Sequence, residues 1–82
     1  MRRKLVSPDQ MLGLLNTALA ADQDCRRCRF VGQIWRMPEV ATVDCNWSAA
    51  TLHLRCSGHA TEPCQDAAQR VLADIRLEYN LT

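Results

Sequence analysis

Cys25 and Cys28 stand three apart around Arg26 and Arg27 in DQDCRRCRF, residues 22–30. Thiols at this spacing can clip a metal, exchange disulfides, or pack a helix-to-strand corner as small hydrophobes. Followed by Cys56-x2-His59, or by Cys56 with Cys64, the pair completes four soft ligands of the kind tetrahedral zinc selects. Zinc is therefore the cofactor alternative, although the second half does not have a standard finger spacing.

The redox and catalytic readings are weaker. Thioredoxin-like C-x-x-C pairs follow a strand and open a helix, whereas here a helical pattern precedes the pair and a strand pattern follows it. Cys64, with His59 or His53 as base, is the most plausible activated thiol. It also falls on the apolar stripe of a helix, and His53 alternates with Thr51 and Arg55 like the solvated side of a strand. No acid, base and oxyanion group share a recognisable spacing, so the expectation is a non-enzymatic protein.

A binding surface is the fourth possibility. An uncovered sheet face can carry Trp35, Arg29, His53 and Arg55, and a tryptophan beside an arginine can stack a base or anchor a protein. With one Phe, two Trp and one Tyr in the chain, Trp35 and Trp47 are each expected first in the core. Arg26, Arg27, Arg29 and the basic N-terminus give a weaker nucleic-acid alternative.

Bulk properties narrow the field. Ten basic and nine acidic residues in 82 leave a formal net charge of +1, so no global field favours nucleic acid or an anionic membrane. All but one of the basic residues are Arg, a bias that suggests GC-rich coding and a bacterium. A core of this size leaves roughly 3–5 kcal/mol of margin unless a metal, disulfide or partner chain adds to it. Five cysteines fall below the roughly 8–10% of a disulfide scaffold, and an odd count would leave one thiol over. The expectation is a reducing, cytoplasmic setting with unligated, partly buried thiols. MRRK before MLGLLNTALAA imitates a signal peptide, but Ser7, Pro8, Asp9 and Gln10 interrupt the junction and Asn16 sits inside the apolar stretch. No run approaches the ~18 apolar residues of a membrane span.

The elements that must position these groups follow from pattern. SPDQ starts a helix over 7–22: Ser7 caps, Pro8 suits the first position, and Gln10 completes a capping box. Met11, Leu12, Leu15, Ala18 and Leu19 form its apolar stripe, widened by Leu14, and residues 1–6 read as a flexible basic extension. CRFVGQIWRM favours strand, with Phe30 and Ile34 on one face and Val31 and Trp35 on the other, so the buried face stays open. Val43, Cys45 and Trp47 are odd-numbered and Leu52, Leu54 and Cys56 even, a parity change that demands a turn or a bulge in NWSA, residues 46–49. A tight turn would place Val43 opposite Leu52 and Ala41 opposite Leu54, which favours three strands over 28–37, 41–46 and 50–57. Thr61 then caps a helix over 61–80 that buries Cys64, Ala67, Ala68, Val71, Leu72 and Ile75 and exposes Asp66, Arg70 and Asp74.

The expected fold is α+β in the order α-β-β-β-α: a single domain, 1–82, with a three-stranded antiparallel meander and two helices packed on one face. Double-stranded-RNA-binding domains share this order, but their Lys-rich entry to the second helix is TEPCQDAAQ here, which repels phosphate. In a meander, Cys25 and Cys28 lie roughly 25 Å from Cys56, because strands rise ~3.3 Å per residue. That separation argues against one zinc; only if NWSA is a bulge, making residues 41–57 a single long strand paired with 28–37, would Cys56 return beside Cys25. The sequence thus leads to an intracellular interaction module that forms a homodimer or binds a protein partner, with no membrane contact and nucleic acid disfavoured.

Overall fold

The computed structural model describes residues 3–37, 45–59 and 61–82. Helix α1, Pro8–Ala20, begins as its capping residues dictate. The Ser7 hydroxyl accepts from the Gln10 backbone N–H at 3.2 Å, and the Gln10 side chain accepts from the Ser7 N–H at 2.9 Å. Met11, Leu15 and Leu19, four apart, are fully buried, giving α1 one core-facing stripe. Beyond it, the Asp22 carboxylate accepts from the Asp24 N–H at 2.9 Å and starts a 3-10 turn, Gln23–Cys25.

The middle of the chain forms one long interrupted hairpin. Strand β2, Cys28–Val31, pairs antiparallel with β5, His53–Cys56, and β3, Trp35–Arg36, pairs antiparallel with β4, Trp47–Ser48. This corrects the meander: the first and last strand segments are partners, and Cys28 lies directly opposite Cys56. Three residues separate Val31 from Trp35, whereas four separate Ser48 from His53, so the returning arm carries one extra residue. That bulge produces the parity change, and it falls at 49–52 rather than as a tight turn at 46–49. Of the strand expected over 41–46, all but Cys45 and Asn46 lies outside the described residues, as do the proposed partners Ala41 and Val43.

Gly32 makes the bulge possible. Its φ is +118°, and an added Cβ would sit 2.5 Å from the Thr51 carbonyl oxygen. Only glycine meets both conditions without displacing the backbone.

Helix α2, Glu62–Glu78, is capped by the Thr61 hydroxyl, which accepts from the Cys64 N–H at 3.2 Å. It buries Cys64, Ala67 and Ala68, keeps Val71, Leu72 and Ile75 half-buried, and exposes Asp66, Arg70 and Asp74. It stops two residues short of the expected end, because Tyr79–Leu81 forms β6, which pairs in parallel with β1, Lys4–Val6. The N-terminal segment is therefore tied into the fold over Lys4–Val6 rather than left free. Helix α1 packs on both β2 and α2, while α2 packs chiefly on α1, the 3-10 turn and β6.

Two asparagines complete the strand edges. Antiparallel pairs alternate between hydrogen-bonded and open positions. The Ser57 N–H bonds to the Arg27 carbonyl at 2.9 Å, which makes Cys28–Cys56 an open pair, Arg29–Arg55 a bonded pair and Phe30–Leu54 open again. The Phe30 N–H and C=O consequently point away from β5, and Asn16 on α1 takes both, accepting at 2.7 Å and donating at 3.2 Å. Asn46 does the same for Leu81, accepting from its N–H at 2.8 Å and donating to its carbonyl at 2.9 Å. Trp47, fully buried, donates from its indole nitrogen to the Tyr79 carbonyl at 2.9 Å. The core joins Met11, Leu15, Leu19, Phe30 and Trp47 to the small residues of α2. Phe30 settles the open question of β2: its face is the buried one. No helix among the described residues is long and apolar enough to cross a membrane.

Candidate four-cysteine centre

Four elements converge on one cluster of sulfur. Cys25 ends the 3-10 turn, Cys28 opens β2, Cys56 closes β5, and Cys64 lies in the first turn of α2. Cys28 and Cys56 meet because they are cross-strand partners at an open position, the closer of the two kinds of antiparallel pair; their Cα atoms are 4.0 Å apart. Cys25 and Cys64 meet because both α2 and the turn before β2 pack against α1, with Cα atoms 5.1 Å apart.

The structure joins Cys25 to Cys64 and Cys28 to Cys56 as disulfides and leaves Cys45 free. This corrects the expectation of unligated thiols and removes the distance argument against a shared metal. The 25 Å separation belonged to the meander; in the hairpin, the Sγ atoms of Cys28, Cys56 and Cys64 lie within 4.8 Å of one another, with Cys25 bonded to the last. Four sulfurs at the corners of a zinc tetrahedron, each about 2.3 Å from the metal, are about 3.8 Å apart. The sulfurs of Cys28, Cys56 and Cys64 are thus close enough together that, reduced, they could hold a metal ion.

Between the two candidate fourth ligands, the geometry favours Cys64. His59 is exposed and lines a depression of about 350 Å³ beside Cys28 and Cys56, but its ring nitrogens do not join the cluster among the described residues. The C-x-x-C pair is not bonded within itself, since each member has a partner from another element. Cys64, fully buried and bonded to Cys25, carries no free thiol for nucleophilic chemistry in this state. Cys25 and Cys64 are wholly buried, while Cys28 and Cys56 are half-buried.

The surface residues named from sequence separate into two groups. Arg29 and Arg55 are opposite each other on the outer face of the ribbon, with His53 one step further along β5, and all three are exposed. Trp35 is 54% exposed and lies on β3, beyond the bulge, where its indole donates to the Thr51 hydroxyl at 2.9 Å. Trp47 alone fulfils the core expectation. Arg26 and Arg27, also exposed, join Arg29 and Arg55 around a second depression, of about 420 Å³, beside the Cys28–Cys56 pair. Sequence reasoning named the arginines but not their convergence, which requires the hairpin register; it missed the structural roles of Asn16 and Asn46 altogether.

Comparison with protein-family models, with curated proteins and with solved structures gives no match to this chain.

Proposed function

We propose that the chain is a non-enzymatic interaction module, displayed on a hairpin whose base is held by a zinc centre of Cys25, Cys28, Cys56 and Cys64. The observation that carries this reading is the convergence of sulfur from four separate elements, with three of the atoms within 4.8 Å of one another. A core of 82 residues gains from such a staple, and metal binding to four thiolates contributes directly to folding. The resulting tetrathiolate centre carries two negative charges, and Arg26 and Arg27, between the first two ligands, offset them. Exposed Leu5, Trp35 and Leu77 offer apolar contact to a protein partner or a second copy.

A second reading is favoured by the bonds themselves: the module works oxidised, with two disulfides as its staples. A native mass spectrum of the protein prepared with reductant and zinc separates the two and reports the subunit number. The zinc reading expects one metal per chain with the corresponding loss of thiol protons, and no metal in a Cys64→Ser variant. A metal-free chain, reoxidising to two disulfides, would contradict it.

A further inference from the structure

The arginine-walled depression holds charge without compensation. Arg26, Arg27, Arg29 and Arg55 line it, no carboxylate does, and none of the four side chains makes an ion pair or hydrogen bond with the described residues. An ion pair among those residues, Arg70 with Asp22 at 3.9 Å, lies elsewhere. Arg29 and Arg55 also face each other across the ribbon, an arrangement of like charges that costs stability in an antiparallel pair. As a bonded pair they are the wider kind, so their guanidinium forks can close on one group from both sides.

From this arrangement we infer that the depression is a binding site for a compact polyphosphate anion of the pyrophosphate class. Three features fix the class. Arginine forks match phosphate oxygens bidentately, which lysines do not. A single carboxylate would neutralise one of four positive charges, whereas a pyrophosphate group answers most of them. The volume of about 420 Å³ suits a small ligand, and the net charge of +1 supplies no field for a long polymer. Ser57, also lining the depression, adds a hydroxyl donor. Towards the neighbouring depression the ligand meets Asp24, which bounds the site on that side.

The inference does not depend on zinc, because the disulfide-bonded chain already presents the arginines. If the centre takes zinc, its two negative charges lower the affinity, and the anion in turn weakens zinc binding by the same factor.

The test is calorimetric titration of the oxidised protein with inorganic pyrophosphate, orthophosphate, citrate and a single-stranded oligonucleotide. Saturable one-to-one binding of pyrophosphate is expected, about tenfold tighter than orthophosphate, and weakened about tenfold by each of Arg29→Gln and Arg55→Gln. Arg36→Gln, altering an exposed arginine of β3 outside the depression, should leave it unchanged. Absence of saturable binding would overturn the inference, as would equal weakening by Arg36→Gln. Citrate matching pyrophosphate, or tighter binding of the oligonucleotide with steep salt dependence, would refute the ligand class.

Discussion

Reducing the four bonded cysteines in the presence of a chelator should bring this domain close to unfolding. Cys25–Cys64 spans 39 residues and Cys28–Cys56 spans 28; loop-closure entropy assigns ~3.9 and ~3.6 kcal/mol to links of these lengths taken singly. The second loop lies inside the first, so it constrains a chain already shortened, and the two together are worth about 6 kcal/mol rather than their full sum. A domain of this length has roughly 4–12 kcal/mol in all. The assay is urea unfolding followed by the near-ultraviolet circular dichroism of buried Trp47, comparing the oxidised chain with the chain in reductant and chelator. Both should carry Cys45→Ser, because a free half-buried thiol can scramble the bonds. An oxidised midpoint well above the reduced one is expected, with much of the reduced, metal-free chain unfolded before urea is added. A difference under ~1 kcal/mol would refute the reasoning, since the sulfur cluster would then be a consequence of the fold and not a support for it.

Two further substitutions test the hairpin. Asn16→Ala leaves the Phe30 N–H and C=O without the partner that takes both; each unsatisfied buried group costs ~1–3 kcal/mol, so partial burial gives about 2–3 kcal/mol and a thermal midpoint lower by about 10–20 °C. A shift below about 3 °C in differential scanning calorimetry would mean that water replaces the side chain at no cost. Gly32→Ala forces an L side chain to a φ of +118° against the Thr51 carbonyl, and should cost at least ~2 kcal/mol in chemical denaturation. An unchanged midpoint would place the bulge elsewhere.

What was legible in the sequence was local chemistry. Ser7 and Gln10 announced the start of α1, Thr61 that of α2, and each helical stripe contained the residues found buried, Met11, Leu15 and Leu19 in α1 and Cys64, Ala67 and Ala68 in α2, its other members being half-buried, because caps and periodicity act within a few positions. The parity change between Trp47 and Leu52 was legible too, but not its meaning: one extra residue in a long arm and a tight turn shift the alternation alike. Pairing decides between them, and pairing is a non-local fact, here Cys28 against Cys56. Preferring the turn sets the cysteines roughly 25 Å apart, whereas the bulge alternative returns Cys56 to the start of the first strand, where the structure has it. Strands β1 and β6, three residues each, carry too short a pattern to register, and their parallel pairing joins opposite ends of the chain. Asn16 and Asn46 were invisible as structural residues because their partners, Phe30 and Leu81, become neighbours only once the fold has formed.

Whether Cys25, Cys28, Cys56 and Cys64 form the proposed metal site when reduced is reported most directly by cobalt, because its visible spectrum depends on the number and kind of its ligands. Titrating the reduced protein with Co²⁺ should saturate at one equivalent, with the intense absorption of a tetrahedral tetrathiolate ion that added zinc displaces and Cys28→Ser alters. A weak octahedral spectrum, or saturation unaffected by Cys28→Ser, would show that the four sulfurs meet without sharing a metal.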